Sequence, residues 1–309
     1  MDGSAPAPVV MVRAHLTGLP VYKMTGSGND FVMLDGRSAN PDDWTAADIR
    51  AVCARGTGVG ADGVTFVAPG SQPGAVRMLY FNSDGSRPAM CGNAALCTTW
   101  LAARLGMASP AGMRLETDAG VFESRCVPPP GPPTDGQAAA AAENPLPGAA
   151  RAALAFAPVD PPIDVPGLPT LPGERAALVR AGVPHLVVLV PHLDLVDVAV
   201  RGRALRHHPA LGAEGANVNF VGARGGAVAR EWGIRTYERG VEGETLACGT
   251  GAVAAGCALA AWGLTDLPVS LLTRSGQCLD VQARKLPGGQ YGDVWLTGEA
   301  RLVFRGVLT

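Results

Sequence analysis

The chain has 309 residues, 47% apolar and 17% charged, with 25 basic against 27 acidic side chains for a formal charge of −2. That length and apolar share suffice for two cores and exclude a disordered tail. The balanced charge, without a Lys/Arg run, excludes an electrostatic footprint for nucleic acid or anionic lipid. No apolar run is long enough to span a membrane, and Met1–Pro6 lacks the basic region of a signal peptide, so a cytoplasmic protein is expected.

Short strand-like runs and a few helices alternate along the chain. Val21–Met24 and Phe31–Leu34 read as strands around the turn Gly26-Ser27-Gly28-Asn29-Asp30. Trp44–Arg55 carries Ile49, Val52 and Cys53 at helical spacing and stops at Gly56. Ala75–Phe81 is a strand entering the turn cluster Asn82-Ser83-Asp84-Gly85-Ser86, and an alanine-rich helix follows Cys91. Residues 127–150, with Pro128-Pro129-Pro130 and the run Ala138–Ala142, hold too few large apolar side chains to bury a core and read as a linker or insertion. Strand patterns resume at His185–Val190, Asn217–Val221 and Ala227–Glu238, and a second alanine-rich helix follows Cys248.

The two helices open on near-copies of one segment. Met90-Cys91-Gly92-Asn93-Ala94-Ala95 returns 157 positions later as Ala247-Cys248-Gly249-Thr250-Gly251-Ala252, and each helix meets a glycine at the same offset, Gly106 and Gly263. Asn82 lies nine residues before Cys91, and Glu238 ten before Cys248. Two chance alanine-rich helices would not share the turns and cysteines as well. A duplicated, two-domain α/β protein is the reading: residues 1–126 as one half, with the strand at 299–309 returning to it, and residues 151–298 as the other.

Seven cysteines scattered over a chain this long do not form a secreted disulfide framework. Cys53, Cys97, Cys126 and Cys257 read as small buried side chains. Cys91 and Cys248 differ, because each precedes a helix whose unpaired N–H groups and positive dipole favour a thiolate and bind a carboxylate. Two such termini facing each other would hold one carboxylate between two thiols. That suits inversion at an amino-acid α-carbon, with one sulfur taking a proton from one face and the other returning one to the opposite face. A redox dithiol usually keeps its cysteines close in sequence. A metal would need further ligands, whereas His207-His208 adjoin no cysteine. No metal and no cofactor are expected, and no lysine stands in a pyridoxal-phosphate-like context.

A set of segments in chain order resembles the diaminopimelate epimerase family over nearly the whole length. They are Lys23–Phe31, Asn82–Ser86 with Met90–Asn93, Pro184-His185, Ala216–Phe220, Tyr237–Gly240 and Gly243–Gly251. The resemblance implies two pseudo-symmetric domains, each a mixed or antiparallel curled sheet around a central helix, with the site in the cleft between them. It implies cofactor-free interconversion of LL- and meso-2,6-diaminopimelate, with a small-molecule amino acid as substrate and a homodimer as an open assembly state. Cys91 and Cys248 would be the acid/base pair, and Gly92-Asn93 and Gly249-Thr250 would hold the reacting carboxylate. Asn29 would flank the reacting centre, Glu238 and His185 would support the amino group and thiols, and Asn82, Asn217 and Arg239 would grip the distal end. The plainer readings stay open: a hairpin turn for Glu238-Arg239, turn chemistry for Asn29 and Asn82, and a core histidine for His185. The same chemistry on proline, hydroxyproline or a basic amino acid, or a thiol switch without catalysis, are the rival functions. Departures from the family pattern fall at Gly63, Arg87, Ala94 to Leu96 and Val183, and bear on the substrate more than on the reaction.

Overall fold

A computed structural model describes residues 16–128, 150–224 and 231–309. Most of the expected linker (129–149) and the start of the expected strand at 227 lie outside the described residues. The first half runs β1 (Pro20–Gly26), β2 (Asn29–Asp35), α1 (Ala46–Cys53), β3 (Gly63–Pro69), β4 (Ala75–Asn82), α2 (Gly92–Arg104), β5 (Met113–Thr117), β6 (Gly120–Val127) and β7 (Arg151–Phe156). β7 lies past the expected boundary at 151 but packs Ala152 and Leu154 into the core around α2, so it is counted with this half. The second repeats that order: β8 (Arg175–Ala181), β9 (Val183–Leu189), α3 (Val198–Arg206), β10 (Asn217–Arg224), β11 (Glu231–Glu238), the short β12 (Gly243–Thr245), α4 (Gly249–Ala261), β13 (Val269–Leu272), β14 (Cys278–Lys285) and β15 (Tyr291–Glu299). A last strand, β16 (Arg301–Val307), pairs antiparallel with β1.

The duplication extends to strand direction. β2 and β3 are parallel, as are β9 and β10; β4 and β5 are parallel, as are β11 and β13; the other neighbours within each half are antiparallel. The halves meet where β7 pairs with β15, giving one path of strands from β16 and β1 at one end to β8 at the other.

Each half wraps its sheet around one helix. Ten of the thirteen residues of α2, and ten of thirteen in α4, are buried, so neither helix has a solvent face and both need small side chains to sit close to strands. Around α2 pack Met24, Phe31, Val76, Leu115 and Leu154; around α4 pack Val187, Trp232, Leu271, Val281 and Leu296. The outer faces carry separate cores under the short helices, Ile49 and Phe66 at α1 and Leu205 and Phe220 at α3. Burying one such side chain contributes about 1.5–3 kcal/mol, so these four clusters are the main source of stability. α1 begins with a capping box, Thr45 and Asp48 bonding each other's backbone N–H. Both central helices end at a left-handed glycine, Gly106 (φ 67°) and Gly263 (φ 70°). Among the described residues no helix is long and apolar enough to cross a membrane.

Candidate active site

Cys91 caps α2 with φ −134° and ψ 117°, and Cys248 caps α4 with φ −130° and ψ 111°. The two caps share nearly the same backbone conformation, and each sulfur lies over the first turn of its own helix, within reach of the N–H groups of Asn93 and Ala94 for Cys91 and of Gly251 for Cys248. The helices touch, and the sulfurs are close enough that Cys91 raises the pKa of Cys248. Glu238, at the end of β11, acts on both thiols.

The helix starts act on the sulfurs in the expected direction, but burial outweighs them. Burial pushes Cys91 up to about 11 and Cys248 up to about 12, and Glu238 adds to both. The N–H groups of Asn93 and Ala94 on Cys91, and of Gly251 on Cys248, pull the other way but do not prevail. Burial also raises Glu238, moderated by the Thr245 hydroxyl. Both sulfurs are therefore thiols near neutral pH.

The polar groups behind the two sulfurs differ. In the first half, Asn93 Nδ2 donates to Asn29 Oδ1 (2.7 Å), and Asn29 Nδ2 donates to Asp62 Oδ2 (2.8 Å). Asp62 then meets Arg55, which pairs with Asp30 beside the buried Lys23. The chain leaves Asn93 Oδ1 buried without a partner. Tyr80 of β4 hydrogen-bonds the Cys91 sulfur, and its ring stands edge-on to Phe31 at 5.9 Å.

In the second half, Thr250 Oγ1 lies 3.5 Å from Cys248 Sγ. Thr236 Oγ1 donates to Asn219 Oδ1 (3.0 Å), and Asn219 Nδ2 meets His185 Nδ1 (3.1 Å). Nδ1 is thus an acceptor and the proton sits on Nε2, which is buried without a partner. Burial, and then Arg239, depress His185 to about 3, so it is neutral at any ordinary pH. Asn217 Oδ1 accepts the Arg239 backbone N–H at 2.7 Å, and the Arg239 guanidinium lies on Glu214 Oε1 at 2.7 Å.

Of the expected site residues, the fold brings Cys91, Cys248 and Glu238 together. It ties Asn29 to Asn93 and Thr250 to Cys248, and gathers His185, Asn217 and Arg239. Gly92 and Gly249 open the two helices, and the space where a Gly92 side chain would stand is empty of protein. Asn82 faces Gly63 across β3 and β4 and donates to Ser86 Oγ (3.0 Å). Arg87 pairs with Asp118 (2.7 Å) rather than reaching the thiols, and Leu96 is core. Sequence reasoning passed over Tyr80, Asp62, Asn219, Thr236 and Glu214. Asn219 had a signal, as a second asparagine two residues after Asn217 on a strand, hence on the same face.

Two curled half-sheets, each around an enclosed helix, define the fold. It is shared by a phenazine biosynthesis protein of the PhzF family from Bacillus anthracis (TM-score 0.68, 14% identity, covering 94% of this chain and 99% of that one). The diaminopimelate epimerase family pattern matches residues 21–129 and 177–288. A diaminopimelate epimerase from Gemmatimonas aurantiaca is 45% identical over 293 residues, covering 92% of this chain and 97% of that protein. One from Aquifex aeolicus is 35% identical, covering 93% and 97%. The chain belongs to the diaminopimelate epimerase family.

Proposed function

We propose that this chain interconverts LL- and meso-2,6-diaminopimelate without a cofactor, Cys91 and Cys248 exchanging one proton across the α-carbon. The observation that carries the reading is the placement of both sulfurs at matched helix starts within electrostatic reach of each other and of Glu238.

The reacting carboxylate would lie between the N–H groups that open α2 and α4. There the charge that develops when Cα loses its proton spreads onto oxygens already facing donors. One sulfur, as thiolate, takes that proton; the other, as thiol, supplies one to the opposite face, and the two sulfurs end with exchanged protonation. Glu238 supplies a reason for thiolate to form only when substrate arrives. Burial holds both thiols up and the Glu238 charge adds to it, and a substrate ammonium beside Glu238 cancels that added part. A thiolate with so high a pKa is also a stronger base toward a carbon acid. Asn29 and Asn93 orient the first helix start, and Thr250 the second. The same reading makes the protein a cytoplasmic biosynthetic enzyme acting on a free amino acid.

The test is turnover of LL-diaminopimelate in deuterated water. Wild type should place solvent deuterium at the α-carbon as it inverts, and Cys91→Ala and Cys248→Ala should each lose at least about a thousandfold in rate. Full inversion by either variant would sink the two-thiol mechanism.

A further inference from the structure

Glu214 stands in the turn before β10, and its carboxylate is shared by two guanidiniums. Oε1 lies 2.7 Å from Arg239 Nη1, and Oε2 lies 3.3 Å from Arg180 Nη2. Arg239 enters from the turn after β11, its backbone fixed by Asn217 and its charge felt by His185. Arg180 comes from β8, where it sits opposite Pro184. Three separate elements thus converge on one anion at the edge of the site.

Apart from these two guanidiniums, Glu214 is anchored through its backbone. Arg206 of α3 donates to the Glu214 carbonyl (3.1 Å) and also pairs with Glu242 in the turn that carries Arg239. The Glu214 side chain is half exposed and receives nothing else among the described residues. An exposed ion pair of this kind contributes only about 0–1 kcal/mol to folding. Stability is therefore a weak reason for holding two guanidiniums on one free-swinging carboxylate. Arg239, Arg180 and Glu214 sum to one positive charge, and a single incoming carboxylate matches it.

We propose that Glu214 is an internal stand-in for the substrate's distal carboxylate: it occupies Arg239 and Arg180 in the empty enzyme and yields both to the substrate. This rests on the diaminopimelate reading above and extends it, adding Arg180 as a second guanidinium for the far end. An amino acid with no second carboxylate cannot displace Glu214, so the same device selects for a dicarboxylate. Arg180 also restores polarity to a stretch where Val183 offers no hydrogen bond.

Steady-state kinetics with LL-diaminopimelate test the proposal, provided wild type turns the substrate over, which is the separate test of the parent reading. Glu214→Gln removes the competitor while keeping the shape, and should lower KM about two- to fivefold with the change falling on KM rather than kcat. Arg180→Gln should raise KM by a similar factor. A raised KM in Glu214→Gln would make Glu214 a ligand of the substrate ammonium and overturn the proposal. An unchanged KM in either variant would overturn it as well.

Discussion

The two halves share a backbone but divide the labour of the site unequally. Strand register pairs their positions: Gly63 lies opposite Phe31 and Asn82 in the first half, as Asn217 lies opposite His185 in the second. Asn217 adjoins Val218, which pairs with Tyr237, so Glu238 holds the place of Asn82. By the same count Val183 answers Asn29. The first half is thus polar at one position where its mate is apolar, Asn29 against Val183, and the second at two, Asn217 against Gly63 and His185 against Phe31. Gly63 cannot regain a side chain cheaply, because a Cβ there would stand 2.5 Å from the Tyr80 ring and 2.4 Å from the Phe81 carbonyl. The first half spends that space on a tyrosine bonded to its sulfur. The second keeps a wholly polar relay, Thr236–Asn219–His185, behind Cys248.

The largest effect should separate the mates Glu238 and Asn82. Glu238 reaches both sulfurs with a charge, whereas Asn82 offers a neutral amide already engaged by Ser86. Glu238→Gln should lower kcat/KM for LL-diaminopimelate by about a hundred- to thousandfold, the range for truncating a desolvated charged partner. Asn82→Ala should cost about tenfold or less, as for a neutral hydrogen bond. Equal losses would mean that the halves contribute alike to the chemistry.

Next comes the third residue of each central helix. Gly251 stands where Ala94 stands in α2, and a Cβ on Gly251 would lie 2.2 Å from Asn219 Oδ1 and 3.3 Å from Cys248 Sγ. In the first half Thr65 occupies the Asn219 position and is shorter, which is why Ala94 fits with no exposure at all. Gly251→Ala should therefore destabilise by about 2–3 kcal/mol through overpacking. Ala94→Gly should cost only about 1 kcal/mol, from helix propensity. Chemical denaturation measures both, and a neutral Gly251→Ala would show that the Asn219 relay is not tight.

These contrasts mark what could be read in the residues beforehand. The repeated Cys-Gly segment announced two helix starts, and the turn clusters placed the strands before them, because glycine, proline and asparagine act locally. The family segments picked out Asn29, His185, Asn217 and Arg239 by residue type. Glu214, Tyr80 and Asn219 stayed hidden for a physical reason: their partners lie 25, 11 and 34 residues away and meet only through sheet register. The helix start is a local feature and could be read, whereas the burial that outweighs its pull on the thiols is a property of the whole fold.

His185 and Phe31 answer each other across the repeat, and only one titrates. An unfolded imidazole takes up a proton below about pH 6.5, whereas buried His185 refuses one until about 3. Its contribution to stability is complete above pH 6.5 and drains as pH falls toward 3. Between pH 7 and pH 5 that single group should remove about 2 kcal/mol from the unfolding free energy. In His185→Gln, whatever its starting stability, the drop over that interval should shrink by the same amount. An unaltered slope would mean that the ring is protonated in the native protein.

The smallest difference lies between the sulfurs themselves. Cys91 is half-buried and raised to about 11, and Cys248 is more enclosed and raised to about 12, with Cys91 itself adding to the shift. Alkylation proceeds through thiolate, so iodoacetamide labelling of both should climb about tenfold per pH unit from pH 8 to 10, with no plateau. Cys91, the less enclosed of the two, should lead Cys248 at every point, followed by mass spectrometry of the two peptides. Glu238→Gln should narrow neither gap nor slope but should speed both reactions, because its charge acts on both sulfurs. If the rates level off below pH 8, the helix termini outweigh burial after all, and a substrate ammonium is not needed to draw out the thiolate.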